Sequence, residues 1–444
     1  MAATKVSGWE LIGTALALGA PIPALMGWQV PVQIVAACGV AGATAAAYWL
    51  IRPSPEQTVN DRDSATYIIG RRRSGKTTLA SLMFARDTHP HHTWRHFARR
   101  YSATNPRGAA WITTHGARDI AAIVPPDRLS LISPPHTRGL NILQGTDPYG
   151  VANRVVTVIR RMYPDLGSVQ TPMLYTAALT VAEERRDATL WDVYRFCDGE
   201  RRQYEMHSEV AQRQWADPEK TAVRGLVARL GRMLSSPRLS RGIADPQGYD
   251  LDEEVRQNRV IVADLVQDDT ADALVLAQAI IAMLQQVSVR RGKNAQMYPV
   301  YADEFQSYAD DSITIWLEEG GKRHMPLSLV HQSREQLSPK LKSATLSSGT
   351  IYAFALNIHD AKEVAPELGI AQNEAQSLTA LPTRTYHARI LSHGRVVYRK
   401  ARVPYVDAAR RADQGHDQQA RRNDDDAGAA SLLPRPVGAE DGAG

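Results

Sequence analysis

Between residues 11 and 51 the chain carries no charged side chain, an uninterrupted apolar run near its start. A helix needs about 20 residues to cross a bilayer core of ~30 Å, so the run is too long for one crossing and suits two short ones. Gly27-Trp28-Gln29-Val30-Pro31 supplies a turn near its middle, and Trp9, Trp28, Tyr48 and Trp49 fall where interfacial aromatic residues sit. The pattern predicts a transmembrane helical hairpin over residues 1–51, with helices near 9–26 and 31–51. Pro21 and Pro23 weaken the first helix, which neighbouring helices offset in a membrane. A cleaved leader would present a basic start, whereas only Lys5 precedes Glu10 and a second apolar run follows at once.

Residues 52–63 are polar, contain two prolines and read as a linker. From 64 onward short apolar runs alternate with helical periods. Ala65-Thr66-Tyr67-Ile68-Ile69 is a strand, and Leu79, Leu82 and Met83 follow it at helical spacing. Ala109-Ala110-Trp111-Ile112-Thr113 and Leu129-Ser130-Leu131-Ile132 are further strands around a helical turn. Residues 148–243 then lose strand alternation and show long helical periods, such as Val151, Val155, Val158, Ile159 and Met162. Strands resume at Arg259-Val260-Ile261-Val262-Ala263-Asp264-Leu265, followed by a long apolar helix near 271–289. Pro299-Val300-Tyr301-Ala302-Asp303-Glu304-Phe305, Leu327-Ser328-Leu329-Val330-His331-Gln332 and Thr350-Ile351-Tyr352-Ala353-Phe354 complete the set. The alternation predicts an α/β domain in two parts, 64–147 and 251–405, split by an all-α insert at 148–250. Residues 406–444 are rich in Asp, Arg, Gln, Ala and Gly, with little to bury, which predicts a disordered polar tail.

Composition changes this picture little. A chain of 444 residues exceeds one typical core, and 43% hydrophobic with 22% charged residues is ordinary for folded domains. The net charge of +5 permits a polyanionic partner without requiring one. The two cysteines, Cys38 and Cys197, lie far apart, so neither a disulfide framework nor a zinc site is expected.

The chemistry concentrates in Gly70-Arg71-Arg72-Arg73-Ser74-Gly75-Lys76-Thr77-Thr78, which fits the phosphate-binding pattern G-x-x-x-x-G-K-[ST] between a strand and a helix. Gly70 and Gly75 let successive N–H groups curl inward onto the β-phosphate. Lys76 reaches the β- and γ-phosphates, the Thr77 hydroxyl holds Mg²⁺, and the helix that Lys76 opens adds its positive dipole end. The run Arg71 to Arg73 is unusual and is assigned either to phosphate or to a neighbouring molecule.

Hydrolysis also needs a carboxylate for the metal shell and a base for water. Asp303 and Glu304, at the end of an apolar strand, supply both: Asp303 for Mg²⁺ and Glu304 to activate the attacking water. Asp264 also ends an apolar strand, but it lacks a second carboxylate and reads as a sheet-edge or polar-loop residue. Gln332 ends the next strand and could sense the γ-phosphate or position water. Phosphoryl transfer also gains from an arginine, often supplied by a neighbouring subunit, and Lys322 and Arg323 are the nearest basic pair, read either in that role or as a solvated turn. The histidine-dense stretch at 89–96 lacks a carboxylate or cysteine to complete a metal set and reads as a solvated basic loop, which with Arg99 and Arg100 could touch phosphates.

These residues together resemble the membrane-anchored coupling ATPases of type IV secretion and conjugation, within the wider superfamily of hexameric DNA translocases related to HerA and FtsK. The resemblance spans roughly residues 8–400. It rests on the apolar hairpin, Gly70 to Thr78, the helical insert, the strand at 259–265, Tyr301-Ala302-Asp303-Glu304-Phe305-Gln306, and the strand ending in Gln332. It implies a RecA-like P-loop core with ATP and Mg²⁺ as ligands, Gln332 as sensor, and a hexameric ring that moves DNA. Arg52 and Arg62 flank the exit of the hairpin and an ATP-using domain must face the cytoplasm, so both ends are expected to be cytoplasmic, and the resemblance adds an inner-membrane location with secretion-channel or relaxosome proteins as partners. Gly320-Gly321-Lys322-Arg323 departs from the family's Gly-Arg-Lys by shifting the arginine two positions. Two further readings keep the nucleotide site: a viral or plasmid DNA packaging or segregation translocase, and a nucleotide-switched membrane receptor for protein substrates.

Overall fold

The computed structural model describes residues 64–88, 107–265, 270–292, 294–309, 311–392 and 394–403. The predicted hairpin, the linker, the histidine-dense stretch and the tail lie outside these residues.

Seven strands run parallel in the order β3-β4-β2-β5-β6-β1-β7, with β8 and β9 added antiparallel at one edge. They are β1 (Thr66–Ile69), β2 (Ala109–Thr113), β3 (Leu129–Ile132), β4 (Val260–Asp264), β5 (Val300–Asp303), β6 (Leu327–His331), β7 (Thr350–Ala353), β8 (Thr385–Ser392) and β9 (Arg395–Arg402). A parallel sheet covered on both faces needs strands that are apolar throughout, and β1, β2, β6 and β7 are buried along their whole length. Ile68, Trp111, Val262, Tyr301, Val330 and Tyr352 point to one face. Tyr67, Ile112, Ala263, Ala302, Leu329 and Ile351 point to the other.

The first face is covered by α1 (Lys76–Thr88) and α2 (Arg118–Ala122). Phe84 of α1 meets Trp111 edge-on at 5.5 Å, and Trp111 stacks on Tyr301 at 5.6 Å. The Tyr301 hydroxyl donates to the Asp87 carboxylate at 2.5 Å, so the helix that follows the P-loop is tied to the strand that carries Asp303.

The stretch 148–250 is all-helical, with α3 (Pro148–Met162), α4 (Gln170–Glu184), α5 (Leu190–Cys197), α6 (Glu209–Ala216), α7 (Lys220–Ser235) and α8 (Pro237–Ile243), and α9 (Leu251–Arg256) follows it. Its helix starts carry their own signals. Proline stands in the first turn of α3 and α8, and Ser208, Ser236 and Asp250 accept from backbone N–H groups at the starts of α6, α8 and α9. Leu140 and Asn141 bridge to Tyr249 and Ala244, which ties the chain before α3 to the chain between α8 and α9. Gly139 is required there because a Cβ would lie 1.7 Å from the Arg241 carbonyl oxygen.

The insert does not keep a core to itself. α10 (Thr270–Arg290) packs on α3, α8 and α9, and its apolar side chains form one cluster with those of the insert and the sheet. Among the described residues α10 is the one helix long and apolar enough to cross a membrane, but 67% of that window is buried in this core. Arg154 of α3 is buried at the seam, donating to the carbonyl of Ile142 at 2.7 Å and to the side chain of Gln286 at 2.8 Å. On the same face lie α11 (Ile313–Glu319), α12 (Pro339–Leu346) and α13 (Ile358–Val364).

Candidate functional site

Parallel strands bring the ends of β1, β5 and β6 to one edge of the sheet, and the order β5-β6-β1 sets β6 between the other two. The P-loop leaves β1 at Gly70 and is clamped by its neighbours. Gly70 N–H donates to the His331 carbonyl at 3.3 Å, Arg71 N–H to Ala355 at 2.7 Å, and the Ser74 carbonyl accepts from Arg384 N–H at 2.7 Å. Gly70 has no room for a side chain, since a Cβ would lie 2.6 Å from Phe354 Cβ and 2.9 Å from Ser74 Oγ. Gly75 sits at φ 110° and Arg73 at φ 60°. The left-handed region costs a non-glycine residue roughly 1–2 kcal/mol, so an arginine at position 73 holds a turn that glycine would take freely.

Lys76 is buried, with its ammonium donating to the Arg71 carbonyl at 3.0 Å. Burial lowers its pKa, while the charges of Glu304 and Asp303 oppose that shift. Asp303 ends β5 with one oxygen 3.4 Å from the Thr77 hydroxyl, which donates to it. Its pKa is raised to about 6, first by burial and then by the charge of Glu304, with Lys76 working the other way.

Glu304 leaves the strand at φ 52°, a left-handed residue that turns its carboxylate sideways from the strand direction. One oxygen accepts from the Gln332 amide at 2.5 Å and the other from the Gln306 amide at 2.6 Å. Gln332 directly follows β6, between the two halves of the site, and its amide oxygen accepts from Arg72 Nε at 3.1 Å. A chain of hydrogen bonds thus runs from the P-loop through Gln332 to Glu304.

Of the residues singled out in the sequence, Lys76, Thr77, Asp303, Glu304, Gln332 and Arg72 meet. Thr78 is half-buried in the first turn of α1, and the side chains of Arg71 and Arg73 are exposed. Arg323 is elsewhere. It precedes β6 at the opposite edge of the sheet, beside His324, whose carbonyl accepts from Tyr298 N–H at 2.8 Å, and its guanidinium pairs with Glu319. It therefore cannot reach the P-loop of its own chain. Asp264 ends β4, two strands from β5, where it lines a cleft of about 470 Å³ with His115, Asp119 and His136. Sequence reasoning gave Gln306 no role of its own and missed Arg384. The first could have been noticed as an amide two positions after Glu304, whereas the backbone clamp of Arg384, at φ 67°, depends on the fold alone.

The residues present fit a magnesium nucleotide. The Ser74 hydroxyl is buried in the loop with no hydrogen-bond partner among the described residues, Gly70 admits no Cβ, and Thr77 with Asp303 offers two oxygen ligands suited to a hard cation.

No protein-family model and no curated protein matches the chain. Solved structures do. VirB4 of Thermoanaerobacter pseudethanolicus is similar with a TM-score of 0.55 at 12% identity, over 77% of this chain and 90% of that one. The plasmid coupling protein TrwB in complex with ADP and Mg²⁺ is similar with a TM-score of 0.56 at 13% identity, over 82% and 92%. The sulphate complex of the bacterial conjugative coupling protein TrwBdeltaN70 reaches 0.57 at 11% identity, over 81% and 92%. At these identities the likeness is one of fold, and it is the mixed α/β P-loop nucleoside-triphosphatase fold of TrwB and VirB4.

Proposed function

We propose that the protein is a membrane-anchored ATPase motor that couples ATP hydrolysis to the translocation or docking of DNA at a conjugative or type IV secretion channel. One observation carries the chemical half of this reading: Lys76, Thr77, Asp303, Glu304 and Gln332 converge at a single sheet edge, where Thr77 bonds to Asp303 and Gln332 to Glu304. The transport half is supported by the likeness to a conjugative coupling protein and to VirB4 over about four fifths of the chain. Anchoring rests on the apolar run at 11–51, and assembly into a hexamer on the family resemblance.

In this reading the P-loop amides and Lys76 hold the triphosphate, and Thr77 and Asp303 would hold Mg²⁺. Bound there, Mg²⁺ neutralises charge on the phosphate oxygens and orients them for in-line attack. Glu304 takes a proton from water as the water oxygen bonds to the γ-phosphorus, and the bond from that phosphorus to the bridging oxygen breaks to leave ADP and phosphate. Gln332, between β5 and β1, exchanges its contact with Glu304 for one with the γ-phosphate, and so couples occupancy of the P-loop to release of the base.

The test is ATP turnover of the full chain in lipid nanodiscs, with and without single- and double-stranded DNA, alongside its mass in solution. Stimulation by DNA in an oligomer is expected. Turnover that ignores both DNA forms would overturn the motor in favour of a nucleotide-switched receptor, and absence of ATP turnover would overturn the enzymatic reading.

A further inference from the structure

We propose that Arg72 is a catalytic arginine supplied in cis: it stabilises charge on the γ-phosphoryl group during hydrolysis and orients Gln332. The proposal rests on the ATPase reading above.

Three observations place Arg72 at the reacting end of the triphosphate. Its Nε donates to Gln332 Oε1 at 3.1 Å, and the amide of the same Gln332 donates to Glu304 at 2.5 Å, so the guanidinium stands one side chain from the carboxylate that takes the proton of water. Its backbone is fixed on both sides, by the Arg71 N–H bond to Ala355 at 2.7 Å and by the left-handed turn at Arg73, so the side chain starts from a set position. Among the described residues nothing else hydrogen-bonds to the Arg72 guanidinium, which leaves its two Nη groups to meet phosphate oxygens. A planar guanidinium suits this task, because one nitrogen can hold an amide oxygen while two others address phosphate.

The alternative source is a neighbouring subunit. Arg323, at the sequence position nearest the family's usual arginine, is engaged with Glu319 at the far edge of the sheet. A resident arginine on the P-loop removes the need for it. As water adds to the γ-phosphorus and the bridging oxygen departs with ADP, negative charge spreads over the transferring group, and the positive charge of Arg72 lowers the cost of that spread without itself gaining or losing a proton.

The experiment compares wild type, Arg72→Ala and Arg72→Lys as full chains in nanodiscs by turnover, by ADP affinity, and by affinity for magnesium ADP with aluminium fluoride, a mimic of the transferring phosphoryl group. Arg72→Ala is expected to lose about 10³-fold in turnover and most of the extra affinity for the fluoride complex, while ADP affinity stays within a few-fold. Arg72→Lys should recover part of both. Equal parts of Arg72→Ala and Lys76→Ala subunits are then mixed. A cis arginine predicts no recovery, because every site able to bind ATP still lacks its arginine. Recovery on mixing, or unchanged affinity of Arg72→Ala for the fluoride complex, overturns the proposal. Wild type without ATP turnover, or Lys76→Ala with full turnover, would instead overturn the ATPase reading beneath it.

Discussion

The Tyr67 hydroxyl, on β1, donates to Nδ1 of His331, on β6, at 3.0 Å, and the other ring nitrogen of His331 donates to the Ser333 carbonyl at 2.6 Å. The two bonds fix the ring as a neutral tautomer and pin the backbone on both sides of Gln332. Burial pushes the Tyr67 hydroxyl pKa up, and burial with the charges of Arg334 and Lys76 lowers His331 to about 3. An unfolded chain protonates this histidine below its ordinary value of 6.5, whereas the folded chain does not until about pH 3. The unfolded state therefore binds more protons in that window, and stability falls as pH falls through it, on the order of 1 kcal/mol per pH unit from this group. Urea unfolding at pH 7 and pH 5 should show a shallower loss in His331→Gln than in wild type. Equal slopes would refute the assignment.

Glu304 is held at both oxygens, by Gln332 and by Gln306, so its contribution and that of Gln332 are coupled. Glu304→Gln should reduce turnover by roughly 10²- to 10⁴-fold with nucleotide affinity nearly unchanged. Gln332→Ala should also slow turnover, and the double variant should be little worse than Glu304→Gln alone. Steady-state rates for the three variants decide it. Fully additive losses would mean that the two side chains act independently.

Asp303 carries a buried charge beside a second carboxylate, an arrangement that costs stability unless a cation answers it. Without nucleotide, Asp303→Asn should raise the thermal midpoint, by an amount on the order of 1–3 kcal/mol in stability. In the presence of ADP, wild type should gain further stability from Mg²⁺ and Asp303→Asn should gain little. A thermal melt with and without Mg²⁺ measures both, and a variant that melts below wild type and still responds to Mg²⁺ would remove Asp303 from the metal shell.

Much of this site was legible because its residues sit at the ends of strongly patterned strands. Tyr301-Ala302-Asp303-Glu304 and Leu327 to Gln332 announce both the strand and the polar group at its tip, and the P-loop spacing needs no tertiary information. The partners of those groups were not legible. Arg72 and Gln332 are far apart in sequence and meet only because β6 lies beside β1. The hairpin of β8 and β9 was missed for a different reason. Tyr386, Ala388 and Ile390 alternate inward on β8, but Val396, Val397 and Tyr398 are all exposed on the edge strand β9, so its pattern carries no period of two. The arginine at 323 was read for a charge-stabilising role that a neighbouring subunit often supplies, and its place at the opposite sheet edge keeps it away from the P-loop of its own chain.

Gly70→Ala tests the cradle without touching any reacting group. The added Cβ would press on Phe354 Cβ at 2.6 Å and on Ser74 Oγ at 2.9 Å. Phe354 is fully buried and packs on Tyr386 at 5.5 Å, so it has nowhere to go, and the P-loop must shift instead. Overpacking of this kind costs about 1–3 kcal/mol, and a shifted loop no longer aims its amides at phosphate. ADP affinity, measured by calorimetry, should fall at least about tenfold for each ~1.4 kcal/mol of that strain expressed in binding. Gly167→Ala, where a Cβ would meet nothing within 4 Å, is the matched control and should leave affinity unchanged and stability equal or slightly higher. If Gly70→Ala binds ADP as wild type does, the loop has slack that the tight Phe354 contact denies, and the P-loop cannot be the rigid cradle on which Lys76, Thr77 and Arg72 depend.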